Sequence, residues 1–281
     1  MDTQEHFDTT ISARNGWFDV NFKELWQYRD LIFLFVRRNF VAQYKQTILG
    51  PAWAIVQPLL TTVIFTVVFG NLAGLSAKGT PSFLFYMSGT VAWAYFAGCL
   101  TQTASTFTGN AAIMGKVYFP RLVMPISTVL INLISFTIQG TMFLLFYGFY
   151  LWRGAVQPTW YILLTPVLIL QMAMLGLGCG VIISALTTKY RDLAMLIGFG
   201  MQLWMYATPV AYDMKIVPAQ YLDYYMLNPM TPVINAFRHA FLGLGKFDWG
   251  YYGISWAVTL TVLALGVMLF SRVEKTFMDT I

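Results

Sequence analysis

Six long apolar stretches dominate this sequence, and they constrain the fold more than any other feature. The stretches cover residues 52–76, 82–108, 122–152, 159–186, 193–212 and 251–270. A helix needs about 20 predominantly apolar residues to cross a bilayer, and each stretch reaches that length. Because helices satisfy their own backbone hydrogen bonds in lipid, the sequence predicts an all-α integral membrane protein with six transmembrane helices.

The composition agrees with lipid as the main solvent. Hydrophobic residues make up 58% of the 281 residues and charged residues only 10%, against roughly 25% charged in soluble domains. Six spans with short loops use most of the chain, so we expect no separate nucleotide-hydrolysing domain. The net charge of +5 comes from basic residues beside the apolar stretches. This arrangement favours membrane lipids as partners and argues against nucleic acid.

The distribution of basic residues predicts the orientation of the chain. An even number of spans places both termini on one side of the membrane. That side carries Lys23, Arg29, Arg37, Arg38, Lys45, Lys116, Arg121, Lys189, Arg191, Arg272 and Lys275, and the other side carries Lys78, Arg153, Lys215, Arg238 and Lys246. The positive-inside rule then predicts a multi-pass protein of the cytoplasmic (inner) membrane with both termini in the cytoplasm.

None of the six stretches contains Asp, Glu, Lys, Arg or His. Ion-coupled transporters and intramembrane enzymes usually hold ionisable groups in their spans. We therefore expect that this chain catalyses no reaction, and that any energy for transport comes from another subunit.

The sequence also offers no site for a cofactor or a metal. Residues 109–116 resemble a phosphate-binding loop, but five residues rather than four separate the glycines, and Val117 replaces the Ser or Thr that would hold magnesium. His6 and His239 are predicted to lie on opposite sides of the membrane, where they cannot share a metal. We expect no cofactor bound by this chain.

Two segments outside the spans have helical apolar spacing. Residues 1–50 are predicted to form a cytoplasmic segment with an amphipathic helix, whose apolar face holds Leu25, Tyr28, Ile32, Phe35 and Val36. This helix is either a basic anchor on anionic lipid or also a docking site for a partner. Residues 213–250 contain three prolines and the helical series Val233, Phe237, Phe241 and Leu244. They predict short re-entrant helices between the fifth and sixth spans, with a surface cap as the alternative.

Aromatic residues make up 17% of the chain and recur within the second and fifth stretches. A channel lining is predicted from Tyr86, Trp93, Tyr95, Phe96, Trp204 and Tyr206. Aromatic faces can stack on sugar rings, and their lack of charge would let a hydrated polymer slide. Helix packing and the interfacial belt enrich the same residue types and remain the alternative.

Several motifs resemble the permease subunits of type-2 ABC exporters of O-antigen, capsule and teichoic acid chains. The motifs are Arg37-Arg38-Asn39-Phe40, Tyr44-Lys45-Gln46-Thr47, Leu49-Gly50-Pro51, Trp53, Gln57-Pro58-Leu59, Leu227-Asn228-Pro229-Met230-Thr231-Pro232 with Arg238, and Arg272-Val273-Glu274-Lys275-Thr276-Phe277. They occur in the family's order and span nearly the whole chain. The resemblance implies a six-span membrane domain over residues 51–281.

The resemblance further implies a homodimer whose interface forms a conduit for an undecaprenyl-linked polysaccharide. Two copies of a separate ABC ATPase would bind beneath it and carry the ATP and Mg. By position, residues 22–46 match the family's interface helix, 110–118 its coupling loop and 213–246 its gate helices. The residues expected to couple to the ATPase are Arg37, Arg38, Asn110, Met114, Lys116 and Tyr118, and those expected at the gate are Asn228, Pro229, Phe237 and Arg238.

Three alternatives to a polysaccharide permease remain at this stage. An ABC permease for small drugs or hydrophobic peptides would share the six-span plan. A membrane-bound glycosyl or acyl transferase should carry acidic or histidine clusters at a membrane face. An ion-coupled flippase should carry buried charges.

Overall fold

The computed structural model describes residues 22–45, 47–106, 109–110, 113, 119–189 and 192–277. Within these ranges every regular element is helical and no β-strand is present, which confirms the all-α class. The helices are α1 (Phe22–Gln27), α2 (Arg29–Tyr44), α3 (Trp53–Phe65), α4 (Ser82–Ala104), α5 (Val123–Trp152), α6 (Thr165–Lys189), α7 (Leu193–Tyr206), α8 (Leu222–Met226), α9 (Met230–Leu242) and α10 (Trp249–Phe277). Short 3₁₀ turns precede α3 and α6, and a π-helix over Thr66–Leu72 continues α3.

Five helical segments of the described chain are long and apolar enough to cross a bilayer. They are Gly50–Leu72, Ser82–Ala104, Val123–Trp152, Trp160–Thr187 and Trp249–Phe270. The fifth predicted span instead forms α7, which has 14 residues. At a rise of 1.5 Å per residue this helix is about 21 Å long, less than the ~30 Å hydrocarbon core. The predicted count of six spans is therefore not confirmed.

Helix α7 ends at Tyr206, six residues before the end of the apolar stretch that predicted it. Pro209 has no backbone N–H and cannot extend a helix, and the chain turns over residues 207–212. A hydropathy profile does not detect this turn, because residues 207–212 carry no charge and continue the apolar stretch.

Helix α4 lies at the centre of the bundle and packs against α3, α5, α6 and α9. Small residues allow the closest of these contacts. A Cβ added at Gly176 would lie 2.6 Å from Cβ of Cys99 on α4, and one added at Gly178 would lie 2.8 Å from Cα of Leu263 on α10. Glycines on two faces of α6 thus let it touch both neighbours, which is typical of helix contacts in membranes.

Polar side chains pair across the same helix contacts. Asn132 on α5 donates to the side-chain oxygen of Gln102 on α4 at 3.0 Å, and Gln171 on α6 donates to the Ser255 hydroxyl on α10 at 2.7 Å. Interhelical hydrogen bonds of this kind contribute about 0.6 kcal/mol each in membranes. They fix the register of helices whose apolar surfaces alone would allow sliding.

Helix α2 docks on α5 through the apolar face predicted from the sequence. Ile32, Phe35 and Val36 are buried against Phe119 and Val123, and the rings of Phe35 and Phe119 are 5.7 Å apart. The bundle therefore has an end that carries α2, called the α2 end, and an opposite end that carries α8 and the start of α10.

Candidate functional site

Arg238 is a buried cation at the opposite end of the bundle. It lies on α9, where all but two of the 13 residues are buried, and is itself only 3% exposed. Its Nη1 donates to the carbonyl oxygens of Pro209 at 2.5 Å and Tyr212 at 3.3 Å, and its Nη2 donates to that of Val210 at 2.8 Å. One side chain thus binds the whole turn that follows α7.

Helix α4 provides the space for this guanidinium. The guanidinium carbon Cζ of Arg238 lies 3.7 Å from the centre of the Phe85 ring on α4. A Cβ added at Gly89, also on α4, would lie 2.8 Å from Nη2 of Arg238. Burial lowers the pKa of Arg238 to about 9, and the nearby Asp213 carboxylate partly offsets that effect. The side chain therefore stays protonated at neutral pH.

Arg238 gives the bundle an interior charge although the six apolar stretches contain none. Arg238 lies outside the six stretches in sequence, but α9 inserts it among them. One sequence signal points to this residue: Arg238 lies within the helical apolar series of Val233, Phe237 and Phe241. A charge buried in such a series is costly unless acceptors surround it. The sequence motif contains Asn228, Pro229 and Arg238, but the backbone carbonyls that accept from Arg238 are identified only by the structure.

Asn228 joins α7 to α9 through its side-chain amide, and both polar atoms of that amide form hydrogen bonds. Its Oδ1 accepts from Nε1 of Trp204 at 2.9 Å and from the Met230 N–H at 3.2 Å. Its Nδ2 donates to the Thr208 hydroxyl at 2.8 Å and to the Ala207 carbonyl at 3.3 Å. The amide therefore fixes the last turn of α7 against the start of α9.

The other two predicted gate residues lie on the same helix junction. The Pro229 carbonyl accepts from the Ser255 hydroxyl of α10 at 2.7 Å. The Phe237 ring packs 5.6 Å from Phe143 on α5 and 4.7 Å from Phe241. The structure thus brings all four residues together around α9. That they act as a gate stays a prediction.

The six predicted channel aromatics occupy two environments. Four of them, Tyr86, Trp93, Tyr95 and Phe96, are buried in the core of the single chain. The Trp204 ring on α7 lies 5.1 Å from Phe96 and 6.3 Å from Trp93, so three members form one cluster, whereas Tyr206 is 44% exposed. Within one subunit the buried rings hold helices together. Their role as a channel lining stays a prediction.

Three of the predicted coupling residues, Arg37, Arg38 and Asn110, are described by the structure and lie at the α2 end. Nη2 of Arg38 donates to the side-chain oxygen of Asn110 at 3.4 Å, which links α2 to the segment between α4 and α5. Arg38 also lies over the Phe35 ring at 4.7 Å, and Arg37 is exposed. Met114, Lys116 and Tyr118 lie outside the described residues. Two of the six predicted residues are therefore seen in contact with each other.

Comparison with known proteins connects these features to one family. A sequence model described as "ABC-2 type transporter" matches residues 30–242. The chain is similar to the "O-antigen export system permease protein RfbA" of Klebsiella pneumoniae, with 25% identity over 250 residues that cover 89% of this chain and 94% of the relative. It is also similar to the protein of the same name from Myxococcus xanthus, with 29% identity over 221 residues that cover 78% and 83%.

Proposed function

Because the chain belongs to the ABC-2 type transporter family, whose members are multi-pass transport subunits and not themselves the ATPase, we propose that it is the permease of an O-antigen exporter. Its cargo is a polysaccharide carried on an undecaprenyl lipid. The observation that carries this proposal is the similarity over 89% of the chain to a relative named as an O-antigen export permease. The relatives' names do not favour the small drugs of the alternative permease.

The α2 end is the face that receives the ATPase. An ABC permease requires a separate ATPase partner, and Arg37, Arg38 and Asn110 gather at this end beside the docked helix α2. Two ATPases bind here and carry the ATP and Mg. In this proposal the α2 end faces the cytoplasm, and both termini lie on the cytoplasmic side of a bacterial inner membrane, as the positive-inside rule predicts.

A second copy of the chain completes the conduit. Helix α7 is too short to span lipid unaided and packs on few neighbours, and Met195, Leu196 and Phe199 leave more than half of their surface exposed. Gly198 and Gly200 face open space, since no described atom beyond their own helix backbone and chain neighbours lies within 4 Å of an added Cβ. Small residues on an exposed membrane helix are typical of a surface that meets another helix. We assign this face to the homodimer.

The transport step follows from this arrangement. ATP-driven closure of the two ATPases pushes on α2 and on the segment around residues 110–118. The subunits separate at the α7 face, where Trp204 and Tyr206 of the predicted aromatic set line the resulting path. The chain performs no chemistry, and the Arg238 and Asn228 contacts hold the outer ends of α7 and α9 as one unit.

Gene deletion and reconstitution test the proposal. Cells without the gene are expected to lose surface O-antigen and to accumulate lipid-linked glycan in the cytoplasm, and the wild-type gene should restore export. In proteoliposomes, the permease with its ATPase should hydrolyse ATP faster when lipid-linked glycan is present. Unchanged surface O-antigen in the deletion strain would rule out the proposed cargo. ATP hydrolysis by the purified permease without its partner would rule out the proposal that a separate subunit is the ATPase.

A further inference from the structure

A tyrosine-lined cavity lies at the end of the bundle opposite α2. It is an open surface cavity of about 520 Å³ that is lined by four tyrosines, Tyr212, Tyr221, Tyr224 and Tyr225, together with Ile216, Val217 and Pro218. This volume lies within the range of small-molecule sites. None of the residues that line it is charged.

Three tyrosines of this cavity, Tyr221, Tyr224 and Tyr225, have ring surface or hydroxyl groups that make no contact needed by the fold. Tyr221 is 54% exposed and Tyr224 is 74% exposed. Within the described part of the chain, no hydrogen bond involves the hydroxyls of Tyr221, Tyr224 or Tyr225. Burial raises the pKa of Tyr225, so its phenol remains a neutral hydrogen-bond donor. Aromatic faces with free hydroxyls at their edges are therefore available to a ligand.

The framework around the cavity is fixed. The ring of Tyr225 packs 6.3 Å from that of Tyr212, whose hydroxyl donates to the Tyr206 carbonyl at 3.0 Å. The backbone N–H of Asp213 donates to the Leu75 carbonyl at 3.0 Å. On the far side of α8, the Tyr251 hydroxyl donates to the Asp223 carboxylate. Contacts with residues of α7, the segment after α3 and α10 thus hold the cavity wall in place.

We propose that this cavity is a glycan-binding site, in which the rings of Tyr221, Tyr224 and Tyr225 stack on a sugar unit of the polymer as it leaves the conduit. This rests on the proposed function. A pyranose ring presents an apolar face of C–H groups rimmed by hydroxyls. The tyrosine rings can stack on the apolar face of the sugar, and their phenol hydroxyls can form hydrogen bonds with the sugar hydroxyls at its rim. A site without charge binds a sugar weakly enough to release it as the chain advances.

The position of the cavity supports this occupant. Tyr206 and Trp204 belong to the predicted channel aromatics, and Tyr206 is linked directly to Tyr212 in the cavity wall. A polymer that leaves the path at the end of α7 therefore meets the tyrosines next. An interfacial aromatic belt would also place tyrosines here, but such a role requires no cavity and no specific set of residues.

The test uses the purified complex of permease and ATPase in nanodiscs. The probe is the delipidated O-polysaccharide released by mild acid from the host's lipopolysaccharide, titrated by saturation-transfer difference NMR. Tyr221→Ala with Tyr224→Ala is expected to weaken binding about tenfold, and the corresponding Phe variants should stay within about threefold of wild type. The matched control is Trp152→Ala with Trp160→Ala, two aromatics at the same end that are 84% and 87% exposed and lie outside the cavity.

Each result decides the question. Selective loss of binding in the Tyr-to-Ala variant supports the site. Wild-type affinity in that variant, no binding by the wild-type complex, or an equal loss in the Trp control would overturn it. The deletion strain separates this outcome from the proposed function, since loss of surface O-antigen on deletion together with an absent binding signal refutes the cavity alone.

Discussion

Gly89 on α4 faces the guanidinium of Arg238 on α9, and a Cβ at Gly89 would lie 2.8 Å from Nη2. The glycine leaves the space in which Arg238 reaches three backbone carbonyls. A charge is tolerated in this apolar bundle because both terminal nitrogens of the guanidinium donate to backbone carbonyls and the group lies on an aromatic face.

Replacing Arg238 with methionine should destabilise the permease. The variant leaves the carbonyls of Pro209, Val210 and Tyr212 without their donors, and we expect a loss of about 3 kcal/mol in the free energy of unfolding. Thermal unfolding of the detergent-purified complex measures this change. Lys246→Met is the control, because Lys246 is an exposed cation at the same end. Equal stability of the two variants would contradict the role assigned to Arg238.

Asn228 and Trp204 should be energetically coupled. The hydrogen bond from the indole N–H to Oδ1 is 2.9 Å long, and its removal by either Trp204→Phe or Asn228→Ala makes the other change less costly. A double-mutant cycle on thermal stability is expected to give a coupling energy of about 1 kcal/mol. Trp204→Phe combined with Gln171→Leu, which touches a different hydrogen bond, should be additive. A coupling near zero in the first cycle would mean that this bond does not form.

Gly178→Ala should separate α6 from α10. The new Cβ would lie 2.8 Å from Cα of Leu263, and backbone atoms cannot rotate away. We expect a loss of about 2 kcal/mol, seen as a lower unfolding temperature. Gly148→Ala provides the control on α5, since nothing lies within 4 Å of its Cβ. If both alanines are tolerated equally, the close contact is not part of the native packing.

Phe35→Ala should release α2 from the bundle. Phe35 is 5% exposed in the contact with α5, whereas Phe33 on the same helix is 65% exposed. Truncation of a buried phenylalanine costs about 3 kcal/mol, and we expect faster proteolysis within residues 22–45 and weaker ATPase binding. Phe33→Ala should change the proteolysis rate little. Similar rates in the two variants would show that the apolar face has been assigned incorrectly.

Gly198→Leu should weaken the proposed homodimer without unfolding the subunit. Apart from its chain neighbours and the backbone of its own helix, no described atom lies within 4 Å of a Cβ at this position, so we expect the larger side chain to meet a partner rather than the subunit's own core. Native mass spectrometry should show about a tenfold shift towards monomer, with the unfolding temperature of the monomer unchanged. Gly148→Leu on α5 is the control. An intact Gly198→Leu dimer would remove α7 from the interface.

The sequence by itself determined the all-α membrane class, the apolar face of α2 and the family. These properties follow from local patterns, because hydropathy over about 20 residues and a period of 3.6 residues are read within one segment. The motif around Asn228 and Arg238 was likewise visible, and the structure brings its residues together at one helix junction.

Only the tertiary structure decided how the outer segment and α7 are built. Pro209 marks the end of α7 locally, but the turn that follows is held by Arg238, a residue about 30 positions away along the chain, and a hydropathy profile does not include such contacts. The cavity of Tyr221, Tyr224 and Tyr225 likewise depends on where α8 is held by Tyr251, which lies at the start of α10. The sequence thus determines which segments enter the membrane, whereas interactions between distant segments decide how the turn after α7 is held and which aromatic rings stay available to a ligand.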